Sequence, residues 1–366
     1  MRHRPSCGRS KNRLNARYRR LTSPDGNLFQ QQKANRRRTT WLVIGFVLFF
    51  AWLGFGGDLI FYLSTARETP WENEHYRHVV PWFGIALTLI GMIVARYAYR
   101  TGPQKVLWAT GAREVSDPSN DGERQLVNVV EEMAIAAGLP RPRIWIIPDD
   151  DPNALATGHD PRDSHVAVTR GLLAVCNRDE LQGVIGHELG HIKNLDVRLM
   201  TTLAALVGAV ALISDGIGRG LGRGRFGRAG GGGGGGRKGG AGAIILVLLV
   251  VWLISWMLAP TITQVLAIAV NRGREYLADA MSAQFTRNPL ALVSALEKIE
   301  GAGAPTTAIK RGTAHLCIVD PLGRRLGRRE GWLANRLATH PPISMRIARL
   351  KGMGYAQVKK EGGLTV

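Results

Sequence analysis

The sequence predicts a mostly helical α+β protein that passes several times through a membrane. Three observations carry that expectation: two apolar runs long enough to cross a bilayer, a His-Glu-x-x-His pattern inside a helical apolar repeat, and short β-branched runs that supply a small sheet.

The chain begins with residues 1–40, where Arg2 to Arg38 hold twelve Lys or Arg against one acid, Asp25. Few apolar residues interrupt this charge, so the segment reads as a disordered basic tail. It carries over half of the net charge of +20. Such charge suggests nucleic acid, yet apart from Tyr18 and Phe29 the tail has no aromatic ring to stack on bases. Anionic lipid explains the same residues, at about 1 kcal/mol for each cation beside a membrane anchor. The expected partner is therefore a lipid bilayer and not nucleic acid.

Trp41 to Leu63 is apolar apart from Asp58, and Val79 to Tyr97 forms a second run with Trp82, Tyr97 and Tyr99 near its ends. No small-residue cleavage site follows the first run before Arg67, which favours an uncleaved anchor over a signal peptide. The basic tail should lie in the cytosol and the loop from Thr65 to His78, with Glu68, Glu72 and Glu74, outside. Arg96, Arg100 and Lys105 bring the chain back to the cytosolic face, where the main domain should sit. The cysteines, Cys7, Cys176 and Cys317, show no paired or CxxC spacing, as in a reducing compartment.

Past the second run, Gln125 to Ala137 reads as an amphipathic helix stopped by Gly138 and Pro140, and Arg143 to Ile147 as a strand ended by Pro148. His165 to Thr169 reads as another strand. Asp149, Asp150 and Asp151 between them suggest a solvated loop rather than a second metal site. Asp179 and Glu180 then open a helix whose apolar spacing runs into His187-Glu188-Leu189-Gly190-His191. Four helical residues span about 400° and about 6 Å, so both imidazoles can grip one ion. Two core histidines are the plain alternative, but they would bury Glu188 between them without a partner.

Such a site needs a third protein ligand. Val197 stands where one metalloprotease pattern would place a histidine, so the ligand must come from elsewhere. Glu275-Tyr276-Leu277-Ala278-Asp279 is the best source: its carboxylates are also four apart, Glu275 to complete the set and Asp279 to accept a hydrogen bond from a ligand imidazole. Pairing of the two with Arg272 and Arg274 on an exposed face is the alternative.

Four blocks make the sequence resemble the HtpX-like membrane zinc metalloproteases, relatives of the CAAX prenyl endopeptidases. They are Pro152 to Gly158, His187 to His191, Arg274 to Ala280, and His340-Pro341-Pro342-Ile343 with Arg346 behind it. The resemblance implies a mostly helical gluzincin-type fold with a small sheet, one Zn2+ per chain, and Glu275 as the third ligand. It also implies proteolytic quality control of misfolded or damaged proteins at the inner membrane of a bacterium. Leu155, where the family usually has phenylalanine, and His159, where it often has arginine, are departures expected to alter which peptides bind. A CAAX-type processing protease and a non-catalytic zinc-binding scaffold are the rival readings.

With zinc in place, Glu188 would be the base, and His340 or Arg346 could donate to the oxyanion. A turn residue before two prolines is the alternative reading of His340, and Asn153 either touches substrate or forms a turn. Extended substrate could pair with an edge strand, either Pro152 to Gly158 or His165 to Thr169. The peptidase domain would be split, residues 101–197 and 261–366 flanking an apolar hairpin at 198–260. Within that hairpin Leu199 to Ser214 and Ala241 to Leu258 enclose a glycine-rich link, 216–242, containing Gly230 to Gly236.

Overall fold

The computed structural model describes residues 24–65, 79–222, 250, 252–254, 272–302, 306–309, 313–319, 321 and 340–361. Cys7, the loop at 66–78, and the glycine-rich link beyond Gly222 with most of the second arm of the apolar hairpin lie outside these residues.

Helix α1 (Pro24–Thr65) and helix α2 (Trp82–Ala109) pack as an antiparallel pair, with Phe46 and Phe50 buried against Ala95 and Ala98. Among the described residues, Leu28–Leu63 and Trp82–Ala109 are long and apolar enough to cross a membrane. Close approach requires glycine: a Cβ on Gly54 would lie 2.6 Å from Phe83 O, and one on Gly91 2.8 Å from Phe50 Cβ. Asp58, the one acid in the first run, accepts from the backbone N–H groups of Gly84 at 2.5 Å and Phe83 at 3.3 Å. The carboxylate thus serves orphan donors at the start of α2, whose N-cap Pro81 offers no side-chain bond. One expectation needs correction, because α1 begins at Pro24 and not at Trp41. The second half of the basic tail is helical because polar residues on it, Gln32 and Asn35, dock on the folded domain.

The sheet runs in the order β1 (Arg113–Glu114), β2 (Arg143–Ile147), β4 (Asp163–Thr169), β3 (Ala154–Asp160). β2 and β4 are parallel, with Ile144 opposite Val166, while β3 returns antiparallel on β4, with Leu155 opposite Ala167. Both strands expected at 143–147 and 165–169 are present. β4 is interior, however, so it cannot be the edge that receives substrate. β3 is at the edge, but its outer side is closed where Leu155 bridges Cys317 and Ile318 N donates to Ala154 O at 2.9 Å.

Helix α3 (Asp121–Ala137) starts four residues before the expected Gln125, because Asn120 caps it by accepting from Glu123 N at 2.9 Å; Gly138 ends it in a left-handed conformation. Short α4 (Arg170–Val175) follows the sheet. Helices α5 (Arg178–Lys193), α6 (Asp196–Gly222), α7 (Arg272–Thr286), α8 (Pro289–Gly301) and α9 (Ile343–Glu361) complete the described chain. One face of the sheet packs on α3, α5 and α8 through Val166, Val168, Leu126, Ile185 and Leu292. The other meets α2 and α6 through Leu107, Ile147, Leu155, Ala167 and Met200, so α6 links the folded domain to the pair of apolar helices.

The acidic loop is not wholly solvated. Asp150 is exposed and pairs with Arg170, whereas Asp149 and Asp151 are buried. Asp149 accepts from Thr306 Oγ1 at 2.8 Å and from the N–H groups of Thr307, Ala308 and Asp151 at 2.9, 2.8 and 3.0 Å. Burial works to raise its pKa, but the N–H groups of Ala308 and Asp151 and the Thr306 hydroxyl outweigh it and hold the carboxyl below its ordinary value. A lowered folded pKa stabilises the fold above the unfolded value, and that contribution disappears as pH falls through the folded one. Asp149→Asn should therefore cost about 2 kcal/mol near neutral pH, with the difference from wild type shrinking below about pH 3.9. Thermal melts of both proteins across that range measure this, and a constant difference would contradict it.

Candidate metal centre

Helix α5 is started by a capping box: Asn177 Oδ1 accepts from Glu180 N at 2.9 Å and Glu180 Oε2 from Asn177 N at 2.8 Å. Ser294 Oγ and Lys298 Nζ hold the same carboxylate at 2.5 and 2.7 Å, fixing α5 to α8. From there every residue from Val184 to Ile192 is buried. His187 and His191 project from one side, their Nε2 atoms 3.2 Å apart.

Helix α7 brings Glu275 to the same point. Its Oε2 lies 3.6 Å from His187 Nε2 and its Oε1 3.5 Å from His191 Nε2. Glycines permit this approach, since a Cβ on Gly190 would meet Ala278 Cα at 3.2 Å and one on Gly186 would meet Ser282 Oγ at 3.1 Å. Among the described residues, His187, His191 and Glu275 form the group able to hold a metal ion, each offering one ligand atom within 4.8 Å of the others.

The outer nitrogens fix the tautomers. His187 Nδ1 lies 2.9 Å from Asp279 Oδ1, and His191 Nδ1 lies 3.1 Å from Asp196 Oδ2. With Nδ1–H donated to a carboxylate, each ring turns an Nε2 lone pair towards the shared point. Asp279 was legible from its spacing. Asp196 was not, because it lies beyond a break at Leu195, whose φ of 58° turns the chain back under His191. The available signal was an acid opening an apolar run.

Several buried atoms beside this cluster have no hydrogen-bond partner among the described residues: Glu188 Oε1, Glu275 Oε2 and both ring nitrogens of His340. Burial drives the Glu188 carboxyl above its ordinary pKa, partly offset by the neighbouring histidines. Glu275 is held well below its ordinary value because the neighbouring His340, His191 and His187 rings outweigh its burial. Converging imidazole and carboxylate donors with spare lone pairs fit a divalent cation such as zinc.

The remaining sequence candidates divide. His340 belongs to the site, its Nδ1 standing 3.5 Å from Glu275 Oε2. Arg346 is near it but is not free to meet substrate. Its Nε and Nη2 form a fork on Asp279 at 2.9 and 2.7 Å, and its Nη1 donates to Ile318 O at 2.7 Å. Asn153 is wholly buried, with its Nδ2 on Val319 O at 2.9 Å and its Oδ1 accepting from Ala154 N. It ties β3 to the 313–319 segment rather than to substrate. Leu155 is buried in the core, and His159 stacks on Tyr99 with ring centroids 4.2 Å apart, so neither faces the cluster.

The profile of Peptidase family M48 matches residues 120–354, which include His187, His191, Glu275, Glu188, Asp196 and Asp279 and lie beyond α1 and α2. The chain belongs to peptidase family M48. A protein named Protease HtpX homolog from Dictyoglomus turgidum (strain DSM 6724 / Z-1310) is 37% identical over 336 residues, covering 91% of this chain and 98% of its own. Proteins of the same name from Streptococcus gordonii and from Streptococcus pyogenes serotype M49 are 38% and 40% identical over 326 and 327 residues, covering 89% of this chain and all of theirs. The crystal structure of S. mikatae Ste24p aligns with a TM-score of 0.42 at 17% identity over 85% of this chain, which spans 66% of that protein. The likeness to HtpX-like proteases read from four motif blocks is therefore borne out. Family membership makes this M48 protein a peptidase, and its histidine and glutamate cluster makes it a metallopeptidase.

Proposed function

We propose that the protein is a membrane-embedded, zinc-dependent endopeptidase that cleaves misfolded or damaged proteins at the cytosolic face of a bacterial inner membrane. The observation that carries this reading is the buried Glu188 carboxylate, with Oε1 unpartnered, next to three converging metal donors. A site that held zinc only for folding has no use for such a base.

His187, His191 and Glu275 would hold the ion. When bound, zinc polarises the scissile carbonyl and the attacking water. Glu188 takes the proton from that water and returns it to the departing nitrogen. His340, whose Nε2 has no hydrogen-bond partner among the described residues, donates to the oxygen that becomes negative. Asp279 and Asp196 keep the two ligand imidazoles in the tautomer that binds. Arg346 steadies Asp279 rather than touching substrate.

Two apolar helices and the excess of Lys and Arg before the first of them support membrane embedding with the N-terminus and peptidase domain in the cytosol. Protein chains at that surface are the substrates this arrangement would reach, and the peptidase halves would flank the hairpin at 198–260.

Purified full-length protein should degrade unfolded casein, lose that activity to a zinc chelator, and regain it when zinc is added back. Cleavage that persists after complete removal of metal would sink the zinc reading. Wild-type cleavage by zinc-loaded Glu188→Gln would show that Glu188 is not the base.

A further inference from the structure

Between the metal helix and the membrane pair runs a chain of hydrogen bonds that joins two distant parts of the sequence. Helix α5 ends at Lys193, so its last carbonyls lack intrahelical donors. Gln32 Nε2 on α1 donates to Lys193 O at 2.7 Å, and Asn35 Nδ2 donates to Asn194 O at 3.0 Å. The same Asn35 amide nitrogen donates to Asp196 Oδ1 at 2.7 Å, so its two hydrogens serve two acceptors. The other Asp196 oxygen, Oδ2, lies 3.1 Å from His191 Nδ1. Asn35 and Asp196 are 1% and 0% exposed, which leaves no room for water to replace either partner.

A carboxylate with one oxygen on an imidazole can still swing about its Cβ–Cγ bond unless its second oxygen is fixed. Asn35 supplies that fixture. Arg274, with Nη1 3.8 Å from Asp196 Oδ1, adds charge but stands beyond hydrogen-bond reach there. Leu195, held at φ 58°, puts Asp196 at the start of α6 directly after the turn that ends α5, and the bonds from Gln32 and Asn35 to Lys193 O and Asn194 O brace that turn.

We propose that Asn35 is a positioning residue of the metal centre: the part of α1 that extends past its apolar stretch orients His191 through Asp196. The affinity of the peptidase for zinc then depends on its membrane helix. This rests on the zinc reading above. It goes beyond that reading because Asn35 lies outside the matched residues 120–354 and touches neither metal nor substrate. A purely mechanical joint between α1 and the domain would lower the melting temperature and leave the metal's coordination alone.

The test uses full-length protein in lipid nanodiscs, with zinc dissociation constants from chelator competition and the visible spectrum of the Co2+-substituted site. Asn35→Leu keeps the number and branching of the side-chain heavy atoms and removes the donor. It should weaken zinc binding about tenfold and change the cobalt spectrum, and Asp196→Ala should weaken it by about ten- to a hundredfold. The double variant should bind no more weakly than Asp196→Ala alone, since Asn35 acts through Asp196. Thr40→Ala, an exposed change on the same helix, should leave both readouts at wild type. Wild-type affinity and spectrum in Asn35→Leu, or losses that multiply in the double variant, would overturn the inference. Should Asn35→Leu not fold, Asn35→Ala carries the same comparison. Wild-type protein that binds no zinc would overturn the metal reading itself, which is a different result from a variant that binds as wild type does.

Discussion

Glu188→Gln is expected to reduce casein cleavage by about a thousandfold, within the range typical for loss of a general base, while zinc content stays at one ion per chain. The amide has the shape of the carboxylate and is buried to the same degree, so α5 and the ligands on either side keep their positions. What changes is basicity. A glutamine oxygen cannot take the proton from an attacking water, and no other unspent carboxylate in the described site can substitute, because Asp279, Asp196 and Glu275 already hold imidazoles. Stability separates this effect from damage to the fold. Glu188 Oε1 has no partner among the described residues and burial disfavours its charge, so a neutral amide should melt at the same temperature as wild type or above it. Cleavage at the wild-type rate by a zinc-loaded variant would show that the proton goes elsewhere. A lost activity accompanied by lost zinc would mean that Glu188 is needed to build the site.

The candidate metal donors were legible because each lies on a helix where spacing fixes direction. His187 and His191 are four apart on α5, and Glu275 and Asp279 are four apart on α7, so sequence alone shows which side chains share a face. Nothing local says that α7 stacks on α5, but Gly186 and Gly190, each directly before one of the two histidines, mark a surface bare enough for another helix to approach. Asp196 was missed for the opposite reason: the reversal at Leu195 breaks the helical period, and counting residues past it predicts nothing. Asn35 is further out of reach, since its contact with Asp196 spans 161 positions and its neighbours Arg36, Arg37 and Arg38 make the segment look like a solvated tail. Arg346 and Asn153 were placed in the right region but given the wrong work. Residue type shows that a side chain can donate to substrate, whereas only packing shows that Asp279, Ile318 and Val319 have already taken those donors. Strand β1 has two residues and no period to detect.

Arg346→Met is expected to destabilise the protein by about 3–5 kcal/mol, the usual cost of removing one partner from a buried ion pair. The guanidinium is 1% exposed and makes a two-pronged contact with Asp279, with its Nη1 3.5 Å from Glu275 Oε2. Methionine fills much of the volume, so the main loss is charge: two buried carboxylates and the carbonyl of Ile318 are left without their shared cation. Zinc should return part of that loss, because an ion at His187, His191 and Glu275 places positive charge beside one of the stranded acids. The drop in melting temperature should therefore be larger in chelated protein than in zinc-loaded protein, a difference that a simple packing defect would not produce. Arg346→Lys tests the geometry separately. A lysine keeps the charge and cannot reach both Asp279 oxygens and Ile318 O from one planar group, so its loss should fall between wild type and methionine. Equal melting of Arg346→Met and wild type without metal would show that Asp279 and Glu275 do not depend on this cation, and the tautomer of His187 would then have to be held by Asp279 alone.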